Sequence, residues 1–322
     1  MRRREEARRR VRRQRRIAAA LALLVGLGAL AGVVLAVTGG GSDSGSGGEK
    51  AEAKKPPPPP ELPRGGRSIF PQFRVVAFYG APQDAELGEL GIGKPAQMAK
   101  KLERVGRRYR RGRRPILPAF ELISTVASGA PGPDRRYSYR QPHKVIDRYL
   151  KAARAAKAIL ILDIQPGYVD FMKDVRALRR YIEQPDVSIA LDPEWKVPEG
   201  TIPGQVIGST TAQDVNRVSA YMSRIVREKQ LPQKLLVVHQ FTDDMIQNKA
   251  ALQQPPGVAL TLNVDGFGDQ PNKISKYNSF SRPQTSRRFH PGFKLFYRED
   301  TNLMSPRQVL RLRPQPELVV YE

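Results

Sequence analysis

From residue 68 to the C-terminus, short apolar runs alternate with longer stretches whose apolar residues return every three or four positions. The runs read "RVVAFYG" (74–80), "PILPAFELI" (115–123), "AILILDI" (158–164), "VSIALDPEW" (187–195), "KLLVVHQF" (234–241), "GVALTLNVDG" (257–266), "GFKLFYRED" (292–300) and "ELVVYE" (317–322). Between them lie "PAQMAKKLERVGRRYRR", "PHKVIDRYLKAARAAK", "YVDFMKDVRALRRYIEQ" and "AQDVNRVSAYMSRIVREKQ", each with helical spacing. "DDMIQNKAAL" and "SPRQVLRLR" are shorter helix candidates, with Thr242 and Ser305 as their caps. Strand-length runs alternating with helices predict a parallel α/β fold.

Eight strands with helices between them, over about 250 residues, match a (β/α)8 TIM-type barrel. An open doubly wound sheet holds the same count but usually places a glycine-rich phosphate turn after its first strand. Here that turn reads "FYGAPQDAELGELG", which is not G-x-G-x-x-G, so the barrel is the expected fold. "GQVIGSTT" (204–211) reads as part of the long loop after the fourth strand.

A barrel of this kind carries its sites at the C-terminal ends of its strands, and period-two alternation names the inward residues there. The fourth strand sends Ser188, Ala190, Asp192 and Glu194 to one face; the third sends Ile159, Ile161, Asp163 and Gln165. The sixth contributes Ala259, Thr261, Asn263 and Asp265, the second Ala119 and Glu121, the fifth Leu235, Val237 and His239. Tyr79 comes from the first strand, and Tyr297 and Glu299 from the seventh. Each has a plainer explanation. Asp163 before "IQPG" and Asp265 in "VDGFG" are also turn formers, Asp243 and Asp244 are first-turn charges, and His239 is also a core histidine. Their convergence on one end favours a site, because clustered buried carboxylates raise one another's pKa and cost stability unless paired or used.

The first 67 residues change the setting. "MRRREEARRRVRRQRR" (1–16) holds ten arginines and two glutamates, and the 21 residues after it (17–37) carry no charge. At about 1.5 Å per residue such a run spans a bilayer core of about 30 Å. The expected arrangement is a single-pass anchor with a cytoplasmic N-terminus and an extracytoplasmic domain. The run is longer, and its cleavage site poorer, than in a signal peptide. Residues 38–67, glycine- and serine-rich and then five prolines, form the linker, and 68–322 the barrel domain. The formal net charge of +24 leaves +16 after residue 16. Facing outward, that charge suits an anionic wall polymer, lipid phosphate or the membrane surface rather than nucleic acid. A solvated arginine-rich surface explains it equally well. Zero cysteine removes disulfides, thiolate chemistry and lipidation.

The candidate chemistry is acid–base. There is no G-x-S-x-G elbow, and the three histidines are scattered, against the H-x-H pair of barrel zinc hydrolases. Glycoside hydrolysis needs one protonated and one ionised carboxyl, and on one strand face Asp192 and Glu194 would stand about 6.5–7 Å apart. A hard-cation site using Asp163, Asp192, Glu194 and Asp265 is the alternative. The D-x-E of "LDPEW" resembles the close of the D-x-x-D-x-D-x-E motif of the chitinase-like glycoside hydrolases, with Ala190 and Val187 where that family has its earlier aspartates. The resemblance implies Glu194 as general acid/base and Asp192 as positioner of an acetamido group. A strand-four Glu also resembles the acid/base of retaining barrel glycosidases, which implies a nucleophile at Glu299 or Asp265. The ectodomain as a whole, through "ALDPEW", "LLVVHQFTDDM", "LNVDGFG" and "KLFYREDTNLMSPRQVL", is similar to membrane-anchored proteins of unassigned activity. The expected enzyme is a glycoside hydrolase acting on a cell-wall or extracellular glycan without a cofactor. Tyr79, Glu121, Asp163, Gln165, Trp195, His239, Gln240, Asn263 and Tyr297 would bind the substrate. Two alternatives stand beside it, a glycan-binding barrel without catalysis and a metal-dependent phosphoester hydrolase. The single tryptophan, Trp195, favours binding over processive degradation.

Overall fold

The computed structural model describes residues 58–322 apart from 111, 113 and 282–288. The expected tail (1–16), anchor (17–37) and most of the linker lie outside the described residues. Among the described residues, no helix is long and apolar enough to cross a membrane.

Eight parallel strands form a closed barrel: β1 (Arg74–Gly80), β2 (Ile116–Ala127), β3 (Ile159–Ile164), β4 (Val187–Leu191), β5 (Lys234–Gln240), β6 (Val258–Val264), β7 (His290–Leu295) and β8 (Leu318–Tyr321). Each pairs with its neighbours in chain order, and β8 closes on β1 through Val75 opposite Leu318 to Phe78 opposite Tyr321. Six crossovers carry α-helix: α1 (Pro95–Arg107), α2 (His143–Ala155), α3 (Phe171–Ala177), α4 (Ala212–Glu228), α5 (Gln270–Ser281) and α6 (Pro306–Val309). Alternation divides the apolar side chains into two cores. Val76, Phe120, Leu160, Ile189, Leu236, Leu260, Phe293 and Val319 face the helices. Val75, Ala77, Leu117, Ala119, Ile161, Ala190, Val237, Ala259 and Val320 fill the barrel interior.

The N-terminal end of the barrel is plugged. Leu62, Ile69, Phe70 and Phe73, all buried, join the interior core. The backbone N–H groups of Ile69 and Phe70 donate to Oε1 of Gln233 at 2.7 and 3.1 Å. Arg64 reaches the carbonyls of Ile116 and Lys157 at 3.1 and 3.2 Å. Leu62, within the stretch expected as linker, is thus part of this plug.

Several elements differ from their sequence pattern, each for a local reason. Strand β2 runs to Ala127, with a bulge between Ile123 and Thr125, because its end pairs antiparallel with Ser138–Arg140. Strand β4 stops at Leu191 instead of 195: Pro193 has no N–H for the ladder, and Pro193–Trp195 coil into a 3-10 turn capped by Asp192. Strand β7 spans His290–Leu295, not 292–300. The helix expected over 243–252 is replaced by two 3-10 turns, Asp243–Met245 and Lys249–Ala251, separated by Asn248 in the left-handed region, where a helix cannot continue. Helix α5 has a weak helical pattern, since few apolar residues mark its inner face; Tyr277 and Phe280 do that packing. The expected caps fare unequally: Ser305 accepts from the Gln308 N–H at the start of α6, whereas Thr242 caps nothing with its side chain. Of 204–211, only Thr210–Thr211 is strand, pairing with Ile246–Gln247.

Candidate functional site

At the C-terminal end the interior turns from apolar to ionic. Above Ala119, Ile161 and Val237, the next inward positions are Glu121, Asp163 and His239, each at most 1 % exposed. The imidazole lies between carboxylates: Nε2 is 3.0 Å from Oε1 of Glu121 and 3.9 Å from Oδ1 of Asp163, and Nδ1 is 3.2 Å from Oδ2 of Asp265. Lys294 donates to the same Asp265 oxygen at 3.1 Å and pairs with Glu322 at 2.8 Å. Its Nζ also stands 3.8 Å from the centre of the Tyr79 ring. The Tyr79 hydroxyl donates to Oδ2 of Asp163 at 3.1 Å and accepts from Nε2 of Gln165 at 3.0 Å. One continuous network therefore joins residues from seven strands or their C-terminal tips.

Its electrostatics follow from burial. Burial and the adjacent Lys294 both push the His239 pKa down, but Glu121 and Asp265 reverse this and hold it well above the ordinary value. Burial raises the Asp163 carboxyl well above the usual range; His239 opposes the rise, while Asp192 and Glu121 reinforce it. The Tyr79 hydroxyl is pushed up by burial and then by Asp163. Burial disfavours the Lys294 ammonium, yet Asp265 and Glu322 more than offset it and raise its pKa.

Of the residues expected at this site, Tyr79, Glu121, Asp163, Gln165, His239, Asn263 and Asp265 are brought together. Asn263 places Nδ2 3.4 Å from Nδ1 of His239. Gln165 is committed to scaffolding as well, since its Oε1 accepts from the Ala127 N–H at 3.0 Å. Asp192 belongs electrostatically to the set, acting on Tyr79, Asp163 and Lys294. Asp192 and Glu194 do not share a strand face, because the 3-10 turn ends the alternation at Leu191; Oδ1 of Asp192 accepts from the Glu194 N–H at 3.2 Å. Glu194 is buried and Trp195 half-buried beneath the loop of residues 196–209, whose Gly208 N–H donates to the Glu194 carbonyl at 2.7 Å. A Cβ at Gly208 would lie 2.2 to 2.7 Å from the carbonyl oxygens of Lys196, Pro193 and Glu194, so only glycine permits this closure.

Three expected residues sit elsewhere. Gln240, one position past His239, faces outward and ties the next loop, donating to the Thr242 carbonyl at 3.2 Å and accepting from Lys249 Nζ at 2.7 Å. Tyr297 packs against Tyr321 and Phe78 outside the barrel, and Glu299 occupies the turn beyond β7. The inward parity of β7 is Gly292 and Lys294, with Phe293 and Leu295 facing the helices. Lys294 and Glu322 are the residues that the sequence pattern missed. The available signal was a lysine between Phe293 and Leu295, and the parity of Leu318, Val320 and Glu322 in the last strand.

The acidic set expected to hold a hard cation does not converge as named. Among the described residues, the side chains whose ligand atoms all lie within 4.8 Å of one another are Glu121, Asp163 and His239. The basic surface lies apart from the network: one cleft on the helical exterior is lined by Arg64, Lys100, Arg104 and Lys157, another by Lys173, Arg176, Arg217 and Arg224. Comparison with models of known protein families and with curated protein sequences finds no match. The likeness to chitinase-like hydrolases thus rests on Asp192 and Glu194 alone, and the chain is assigned to a (β/α)8 barrel and to no family within it.

Proposed function

We propose that this barrel is a glycoside hydrolase-like enzyme acting on a cell-wall or extracellular glycan, carried at the membrane by residues 17–37. Glu194 is its general acid/base, and Asp192 the neighbouring carboxylate that tunes it and positions the substrate. One observation carries the reading: carboxylates from Glu121, Asp163, Asp192, Asp265 and Glu322 converge on the C-terminal end of a closed parallel barrel, where such folds do their chemistry. Paired carboxyl groups in unlike environments are what glycosidic bond cleavage requires, one holding its proton and one ionised. The second carboxylate is then Asp265, which Lys294 and His239 hold at the mouth. Glu299 lies beyond the strand and leaves that role. The basic exterior favours attachment to an anionic wall polymer rather than a nucleic acid.

The test is incubation of the full chain with peptidoglycan and acetylated amino-sugar oligomers, counting new reducing ends. Release by the wild type, lost in Glu194→Gln, is the expected result. A second reading, a glycan-binding barrel without catalysis, draws on the burial of the acidic groups, none of Glu121, Asp163, Asp192, Asp265 and Glu194 being more than 2 % exposed. It gains if both forms sediment with the polymer and neither releases reducing ends.

A further inference from the structure

Below the mouth, Glu121, Asp163 and His239 form a group that acid–base hydrolysis at Glu194 does not use. Nε2 of His239 lies 3.0 Å from a Glu121 oxygen and 3.9 Å from an Asp163 oxygen. Nitrogen and oxygen ligands held about 2.1 Å from one transition-metal ion stand about 3.0–3.5 Å from each other, and one ligand atom from each of these three side chains lies within 4.8 Å of the others, so a shared ion would draw them inward. Two acceptor atoms in it lack a hydrogen-bond partner although their side chains are fully buried: Oε2 of Glu121 and Oδ1 of Asp163, the oxygen facing the imidazole. Buried carboxylate oxygens ordinarily find a donor, and a cation held between these side chains would satisfy two that do not.

The far side of the imidazole has the complementary feature. Its Nδ1 lies 3.2 Å from Oδ2 of Asp265, and Asp265 is itself held by Lys294 at 3.1 Å. A carboxylate behind the ring fixes the tautomer whose Nε2 lone pair faces forward, which is how metal-bound histidines are commonly oriented. From these contacts we infer that Glu121, Asp163 and His239 bind one divalent transition-metal ion, with Asp265 as the positioning residue behind the histidine. One imidazole with two carboxylates suits zinc or manganese over calcium, whose sites are all oxygen. The three ligands do not include Glu194, although Asp265, the second carboxylate of the proposed hydrolase, is shared between the two readings.

The test uses the full chain stripped with a chelator, then titrated separately with zinc, manganese, magnesium and calcium chlorides. Bound metal is read by elemental analysis, and the melting temperature with and without each salt. The expected result is about one zinc or manganese ion per chain and a higher melting temperature. Asp163→Asn and His239→Gln, checked as folded by circular dichroism, should lose both effects. Asp265→Asn should bind about tenfold to hundredfold more weakly, as loss of a supporting carboxylate does. Glu194→Gln should bind like the wild type, which separates this site from the hydrolase proposal. Failure of the stripped wild type to bind more zinc or manganese than folded Asp163→Asn would overturn the inference.

Discussion

The two ends of the barrel are built from the same alternation and do opposite things with it. At the N-terminal end, inward positions carry Val75, Leu117, Ile159, Leu235 and Leu318, sealed by Ile69, Phe70 and Phe73. At the C-terminal end, four residues further along the same strands, they carry Tyr79, Glu121, Asp163, His239 and Glu322. The first end is apolar burial, worth about 1.5–3 kcal/mol for each large side chain. The second removes several charges from water and recovers only what their pairing returns, so such a pair can be neutral or unfavourable against an apolar substitute. Stability is thus concentrated at the plugged end and chemistry at the charged end, which is the division expected of a fold whose strand tips carry its sites.

Substitutions can break or sharpen that contrast. The largest effects should come from one truncation at each end. Phe73→Ala should cost about 3–5 kcal/mol in urea unfolding by opening a cavity in the plug. Lys294→Met should cost about 3–5 kcal/mol for a different reason, leaving Asp265 and Glu322 buried without their ammonium partner. If Phe73→Ala were neutral, the plug would not hold the stability assigned to it.

Next in size is a pH effect at the plugged end, where buried Lys234 donates to the carbonyls of Gln184 and Val187 at 2.6 and 2.8 Å. Burial pushes its pKa down to about 7, against a weak opposing pull from Asp186. The unfolded chain keeps this proton to about pH 10.4, so from about pH 7 to 10 it binds more protons than the folded chain. Stability should therefore rise with pH in that window, by up to about 1.4 kcal/mol per unit from this group, and the contribution should vanish below pH 7. Lys234→Met should flatten the rise in denaturant midpoints measured at pH 7, 8.5 and 10. An unchanged slope would remove Lys234 as its source.

Smaller changes sharpen the picture at the charged end. Asp163→Asn should leave metal-free stability unchanged or raise it by about 1–2 kcal/mol, since a buried carboxyl crowded by Glu121 and Asp192 loses its charge while the Tyr79 contact stays available. Thermal melts check the sign, and a clear loss would mean that the network is assembled for stability. Gln240→Ala, which frees Lys249 and the loop behind β5, should cost only about 1 kcal/mol.

The barrel was readable because its interior is narrow. Strands β3, β5 and β6 present small or aliphatic residues inward and end in a charged or amide group, so their parity follows from which positions turn polar at the tip. In "GFKLFYRED" aromatics fall on both parities, and the acidic end drew the strand outward past Leu295, hiding Lys294 and promoting Tyr297 and Glu299. In "LDPEW" the proline carried the decisive information. The carboxylates on either side of it are separated by the end of a strand: Asp192 closes the turn and Glu194 sits within it. The pairing of His239 with Glu121 spans 118 residues, and no local pattern in the chain encodes a contact between strands two and five. Likewise the helix expected at 243–252 had the right spacing, but Asn248 turned it into two short turns tied by Lys249 to Gln240.

The most direct test of the central claim, that the charged end serves chemistry and the plugged end stability, measures both quantities on one variant. Glu194→Gln should melt within a few degrees of the wild type while release of reducing ends from peptidoglycan or acetylated amino-sugar oligomers disappears. Release that persists in the variant, or a wild type that releases none, would contradict the account.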